Sequence, residues 1–144
     1  DHHGDNVRWG GIEKGLKPAL PDVDRALWAL VNDLEARGLL DQTLVMMLGE
    51  FGRTPKINNT RGRDHWGPCF FGVFAGAGVR GGQVIGSTNR LGQHAIDRPV
   101  RFGEIWATLY TALGLNLSAI REFDISGRPH NLVDQSDLPM RELV

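Results

Sequence analysis

Apolar positions divide the chain into two helical and two extended stretches. Helical spacing after Pro21 predicts a helix that ends at Gly38 and packs on a sheet through one apolar stripe. This stripe consists of Val23, Leu27, Leu30, Val31 and Leu34. A second helix is predicted over about 102–113, with Gly114 as its C-terminal stop. The second stripe consists of Phe102, Ile105, Trp106, Leu109 and Leu113.

Two unbroken apolar runs of strand length predict buried strands. Leu44–Leu48 ends at Gly49 and Glu50, and Cys69–Ala75 follows Pro68. An uninterrupted apolar run is typical of a strand that is covered on both faces, as in a parallel sheet. We therefore predict an α/β fold, a three-layer sandwich in which helices flank a mainly parallel central sheet.

The remaining stretches predict short or irregular structure. Residues 1–20 are polar and rich in glycine, and we interpret them as a loop that could contain a short helical turn. Residues 83–86 alternate like an edge strand or hairpin arm, and 87–99 is predicted to be a polar loop. The composition of 124–128 is typical of a tight turn, and 130–133 is predicted to be a last short strand.

Composition allows a core and excludes several functions. The 144 residues suffice for a single domain, which we assign to residues 1–144, and 41% of them are hydrophobic. A formal net charge of -1 provides no electrostatic footprint for nucleic acid. No apolar stretch reaches the roughly 18 residues that a membrane span requires. Cys69 is the single cysteine, so we predict that it is buried and packs as a small hydrophobic residue.

Carboxylates and imidazoles near strand ends predict a metal site. Glu50 follows the first strand, Asp64 and His65 come later in a loop rich in glycine and arginine, and Asp1 and His3 stand at the start of the chain. Divalent cations take these ligand types, and open α/β sheets place their sites in loops at the carboxyl ends of strands. We predict all five residues as metal ligands, with Asp64 either orienting an imidazole or binding a second ion.

Two arginines beside these ligands predict contacts to an oxyanion. Arg53 could hold an oxyanion by bidentate hydrogen bonds while Glu50 binds metal, or the two side chains could form only an ion pair. Arg63 is the second candidate for an oxyanion contact, although basic loop residues are usually solvated. Glycines at 76–81 match a dinucleotide-binding pattern, but no helical pattern follows them, so we interpret them as a hairpin turn.

Several blocks of the chain together resemble the C-terminal part of a known family. These blocks are 1–6, 49–55, 62–65, 75–86 and 123–128. The family is catalogued as domain of unknown function 1501, is related to sulfatases, and is placed in the alkaline phosphatase superfamily. The resemblance implies a sulfatase-like fold of which this chain forms the C-terminal part, with an upstream portion supplying the nucleophile.

The resemblance also implies a metal-dependent hydrolase of phosphate or sulfate esters. By position in the superfamily order, Asp1, His3 and His65 match ligands of a first ion, and Glu50 matches the acidic ligand of a second. Phe51 stands where the related phosphatases carry a histidine. We therefore expect one or two divalent ions, which are zinc, calcium, magnesium or manganese.

The resemblance further implies a small-molecule or glycan phosphate or sulfate ester as the partner. Related exported enzymes imply a periplasmic or secreted location. The alternative is a noncatalytic member that keeps the fold as a binding or envelope-associated module. A Glu50 side chain paired only with Arg53 would favour that alternative.

Overall fold

The computed structural model describes residues 10–144. A π-helical segment, Gly11–Leu16, leads directly into helix α1, and a short 3-10 turn follows at Leu40–Gln42. The remaining elements, in chain order, are α1 (Lys17–Ala36), β1 (Val45–Leu48), β2 (Gly52–Arg53), β3 (His65–Trp66), β4 (Gly72–Ala75), β5 (Ser87–Thr88), β6 (Ala95–Asp97), α2 (Phe102–Ala112), β7 (Glu122–Phe123) and β8 (Pro129–His130).

The strands of this described part form four separate two-stranded sheets, in which β1 pairs with β4, β2 with β3, β5 with β6, and β7 with β8. All four pairs are antiparallel. The predicted three-layer sandwich with a mainly parallel sheet is therefore wrong. An apolar run indicates that a strand is covered but says nothing of its direction. No crossover helix lies between β1 and β4, although a parallel pair needs such a connection.

Helix α1 is longer and more exposed than its apolar stripe predicts. It begins at Lys17 after the π-helical segment. Residues 11–20 are therefore helical throughout, which is more than the short helical turn that the loop prediction for 1–20 allowed. Val23 and Leu30 of the stripe are 47% and 49% exposed. Instead of packing on a sheet, α1 makes its main contacts with the short helical segments on either side of it.

Both helices end at the glycines that the sequence predicts. Gly38 and Gly114 have φ angles of 66° and 75°, a left-handed conformation that glycine adopts without a steric penalty. At the end of α2, the amide of Gly114 donates to the carbonyl of Thr111, and the amide of Leu115 donates to that of Tyr110. These two hydrogen bonds form a Schellman motif.

The core lies between α2 and residues 137–144, which we call the C-terminal segment. Ile105 of α2 is buried against Met140 and Leu143 of that segment. The fully buried hydroxyl of Thr108 donates to the carbonyl of Glu104 at 2.7 Å and accepts from the amide of Met140 at 2.9 Å. Partly buried residues surround this cluster: Met46, Leu48, Phe70, Phe74, Val79, Ile85 and Val100.

An ionic bridge also holds the C-terminal segment to the start of α2. Nη1 of Arg98 lies 2.9 Å from Oε1 of Glu104, and Nε lies 2.6 Å from Oε1 of Glu142. Hydrogen bonds to Glu142 and Glu104 raise the pKa of Arg98, and the same arginine lowers the pKa of Glu142. Charge therefore reinforces the apolar contacts between these two parts of the chain.

Three predictions for the shorter stretches have different outcomes. The turn at 124–128 is confirmed, because the amide of Asp124 donates to the carbonyl of Arg128 at 3.0 Å and the strands on either side pair. The edge strand or hairpin arm predicted over 83–86 is wrong, because these residues form no strand. The loop predicted over 87–99 is wrong where β5 and β6 pair. Cys69 is half-buried and not fully buried.

The glycines at 76–81 form a turn. The amide of Val79 donates to the carbonyl of Gly76 at 3.0 Å, and no helix follows before β5. The strands on either side of this turn, β4 and β5, do not pair with each other. The turn is therefore confirmed, whereas its interpretation as a hairpin turn is wrong.

Candidate functional site

A hairpin formed by β2 and β3 brings together two of the predicted site residues. Arg53 lies directly opposite His65, and Gly52 lies opposite Trp66. Residues directly opposite each other in an antiparallel pair have their Cβ atoms about 5 Å apart. The cross-strand pair therefore places a guanidinium and an imidazole on one face of the hairpin.

A close backbone approach explains the glycine at the start of this hairpin. A β-carbon on Gly52 would lie 1.6 Å from the carbonyl oxygen of Cys69. Backbone atoms cannot move aside as a flexible side chain can. Glycine at position 52 therefore allows the chain that follows Trp66 to pass directly against β2.

Phe51 completes the face that carries Arg53 and His65. Side chains alternate along an extended chain, so residues 51 and 53 point the same way. The ring centroids of Phe51 and His65 are 4.1 Å apart, and Cζ of Arg53 lies 5.6 Å from the Phe51 ring centroid. The aromatic ring thus contacts both polar side chains of the pair.

The guanidinium of Arg53 has an unsatisfied donor. Its Nη1 atom is buried and has no hydrogen-bond partner among residues 10–144. A buried donor without a partner costs about 1–3 kcal/mol. An oxyanion would satisfy it, because guanidinium groups bind phosphate and sulfate through paired hydrogen bonds.

Arg63 is used differently, within the loop that connects the two strands. Its Nη1 atom donates to the carbonyl oxygens of Thr54 at 2.7 Å and Pro55 at 2.8 Å. At the tip of the loop, the side-chain oxygen of Asn58 accepts from the amides of Thr60 and Gly62. Arg63 therefore stabilises the loop that joins β2 to β3, and its predicted oxyanion contact stays a prediction.

Asp64 contacts the loop and not the face that carries His65. Its Oδ1 atom accepts from Nδ2 of Asn58 at 2.9 Å, and its amide donates to Oγ1 of Thr54 at 3.1 Å. Asp64 also lines an open depression of about 260 Å³ together with Thr54, Lys56, Asn58 and Asn59. Asp64 and His65 thus face different surroundings, as expected for neighbours in an extended chain.

The structure describes three of the five predicted metal ligands, Glu50, Asp64 and His65. Glu50 is exposed, while Asp1 and His3 lie outside the described residues. Among residues 10–144, no three histidine, cysteine, aspartate or glutamate side chains are close enough together to hold a metal ion. The chemistry of Glu50, Asp64 and His65 suits a divalent cation, but their placement does not form a complete site. The five-ligand metal site stays a prediction.

A family profile described as "Protein of unknown function (DUF1501)" matches residues 1–144. The chain belongs to the DUF1501 family. No curated protein and no solved structure matches it. Family membership is therefore confirmed for this DUF1501 protein, while its relation to sulfatases stays a prediction. None of its helices within the described 135-residue stretch, 10–144, is long and apolar enough to cross a membrane.

Sequence reasoning missed the contacts that link the hairpin of the DUF1501 protein to the β5–β6 hairpin. Trp66 donates from Nε1 to the carbonyl of Gln93 at 2.6 Å, and its ring centroid lies 5.9 Å from that of His94. The sequence pattern predicts only a loop over 87–99. His94 is exposed, and no local pattern could indicate its contact with a residue so distant in the chain.

Proposed function

We propose that this DUF1501 protein is a metal-dependent hydrolase of phosphate or sulfate esters in which Arg53 binds the oxyanion. The buried and unsatisfied Nη1 atom of Arg53 carries this proposal. The neighbouring His65 lies directly across the strand pair. A guanidinium beside an imidazole provides a donor for the ester oxygens and a group that can hold a metal or move a proton.

The roles of the side chains follow from their surroundings. Arg53 would orient the ester group and stabilise the negative charge that grows on its oxygens during hydrolysis. Phe51 contacts His65 at 4.1 Å between ring centroids, which restricts the orientation of the imidazole. Glu50 is exposed one residue earlier, so its carboxylate is accessible to a cation. We assign no nucleophile among residues 10–144.

A divalent ion fits the donor chemistry of this site, although the described side chains alone do not enclose one. Glu50 and His65 would contribute ligands, and Asp1 and His3 would contribute the others. Such an ion, when bound, would polarise an ester oxygen and lower the pKa of a hydroxyl or water nucleophile. The metal requirement is part of the proposal and is tested separately from oxyanion binding.

An ion pair between Glu50 and Arg53 would favour the noncatalytic module. Glu50 forms no ion pair with Arg53 in the described part of the protein. The Arg53 guanidinium is therefore not neutralised by the acidic residue nearest to it in the sequence. The lack of an ion pair to Arg53 within residues 10–144 supports a role for this side chain in binding an anionic ligand.

The proposal is tested by assaying hydrolysis of aryl phosphate and aryl sulfate esters. The longest natural protein that contains these 144 residues is purified without chelator, and its metal content is measured by elemental mass spectrometry. We expect turnover that chelator abolishes and added metal restores. The variants His65→Ala and Arg53→Met should lose turnover while they keep the wild-type circular dichroism spectrum.

A matched control is available in a second histidine. His130 is exposed on β8, so His130→Ala should hydrolyse esters at the wild-type rate. Unchanged turnover in both Arg53→Met and His65→Ala would refute the assignment of the site. A folded protein without metal or turnover would instead favour the noncatalytic module.

A further inference from the structure

The Trp66 side chain joins the candidate site to a distant hairpin. Its Nε1 atom donates to the carbonyl oxygen of Gln93, 27 residues further along the chain, at 2.6 Å. Trp66 is half-buried, and its ring lies against that of His94. The indole therefore has both a directional hydrogen bond and an aromatic contact outside its own hairpin.

Asn89 holds the carbonyl of Gln93 in place. Oδ1 of Asn89 accepts from the amide of Gln93 at 2.7 Å. The amide of Asn89 donates to the carbonyl of His94 at 2.9 Å, and the amide of Gly92 donates to the carbonyl of Asn89 at 2.9 Å. The tip at 89–94 is thus closed by its own hydrogen bonds and presents a fixed acceptor to Trp66.

The strand pair that carries the candidate site has little to stabilise it by itself. β2 and β3 each contain two residues, and an isolated two-stranded hairpin is marginally stable in water. Trp66 lies opposite Gly52, which has no side chain to form a cross-strand contact with it. Besides the hydrogen bonds of the connecting loop, the contacts of Trp66 with the β5–β6 hairpin therefore help to fix the position of β3.

We infer that Trp66, held by the carbonyl of Gln93, is a positioning residue that keeps the neighbouring His65 opposite Arg53. The tip at 89–94 then belongs to the machinery of the site through its contact with Trp66. Loss of the indole donor would let β3 shift, and it would weaken oxyanion binding without removing an oxyanion ligand. This inference rests on the proposed function.

The test follows the ring signals of His65 by NMR while inorganic phosphate or sulfate is added. Trp66→Phe keeps an aromatic ring but removes the indole donor, and Asn89→Ala loosens the tip from a position outside the hairpin of the site. We expect each variant to bind phosphate about fivefold more weakly, the effect of one lost hydrogen bond. Each should also shift the His65 ring signals before any anion is added, which loss of overall stability alone would not do.

Trp28→Phe is the matched control. Trp28 is 68% exposed on α1, so its replacement should leave the anion affinity and the His65 signals unchanged. Wild-type affinity and wild-type His65 signals in both Trp66→Phe and Asn89→Ala would overturn the inference. If Trp66→Phe does not fold, the Asn89→Ala result decides. A wild-type protein in which neither anion moves a His65 signal would instead refute the proposed function, so the two failures are distinguishable.

Discussion

Arg53 and His65 lie directly opposite each other on the paired strands β2 and β3. Phe51 contacts both side chains on the same face. Nη1 of Arg53 is buried with no hydrogen-bond partner in the described residues, so this pair carries an energetic cost that a bound oxyanion would remove. An oxyanion bound at this pair, as we propose, would satisfy the Nη1 donor, for which residues 10–144 supply no acceptor.

Arg53→Met should leave stability unchanged or raise the free energy of unfolding by up to about 1 kcal/mol, because it removes an unsatisfied buried donor. Arg63→Met is the matched control. Since Nη1 of Arg63 donates to two loop carbonyls, its loss should destabilise the protein by about 1–2 kcal/mol. Urea denaturation measures both values. A larger loss in Arg53→Met than in Arg63→Met would contradict the account.

Gly52→Ala should be severely destabilising. Its β-carbon would lie 1.6 Å from the backbone oxygen of Cys69, and either β2 or the segment that carries Cys69 would have to move to relieve the overlap. We expect a loss of about 3 kcal/mol or a failure to fold, the range of strongly overpacked sites. Gly67→Ala is the control, because a β-carbon there meets no atom within 4 Å. Equal urea midpoints for the two variants would show that the close approach is incorrect.

The effect of Gly103→Ala on the free energy of unfolding should change sign when Asp137 is replaced by alanine. A β-carbon on Gly103 would lie 1.6 Å from Oδ2 of Asp137, whose carboxylate pairs with Arg101 at the start of α2. Gly103→Ala should therefore displace a carboxylate that the helix dipole favours, at a cost of about 1 kcal/mol. In the Asp137→Ala background the same change should stabilise by about 0.5 kcal/mol through helix propensity. Thermal denaturation of the four proteins measures the cycle, and purely additive effects would disprove the contact.

The contact between Arg98 and Glu142 should make stability depend on pH in acid. Because Arg98 lowers the pKa of Glu142 below its usual value of 4.5, the unfolded state binds the proton more readily than the folded state. The contribution is complete above pH 4.5 and is lost as pH falls through the lowered pKa. Glu142→Gln should therefore be less stable than the wild type at neutral pH, and the difference should narrow in acid. A difference that is constant with pH in urea denaturation would contradict this.

Local features of the fold were predictable from the sequence. Gly38 and Gly114 end helices because their φ angles are positive, and the Asp124 turn forms through hydrogen bonds within five residues. These outcomes depend on neighbours in the chain. Strand direction does not depend on neighbours in the chain. The apolar run of β1 therefore predicts a parallel sheet, whereas β1 forms an antiparallel pair with β4 in the structure.

The candidate site was predictable only in its chemistry. The sequence predicts Glu50, Arg53 and His65 as site residues by residue type alone, and alternation along an extended chain places residues 51 and 53 on one face. The pairing of Arg53 with His65 and the contact of Trp66 with Gln93 depend on how separate segments fold together. No periodicity or spacing within either segment encodes those contacts.

The most direct test of the central claim is calorimetric titration of wild-type protein and Arg53→Met with inorganic phosphate and sulfate. We predict saturable binding of one or both anions by the wild type, weakened by high salt, and no measurable binding by the variant at unchanged stability. Arg80→Met provides the control, because Nη2 of Arg80 donates to the carbonyl of Val144, away from the hairpin. Equal anion binding by the wild type and Arg53→Met would contradict the account.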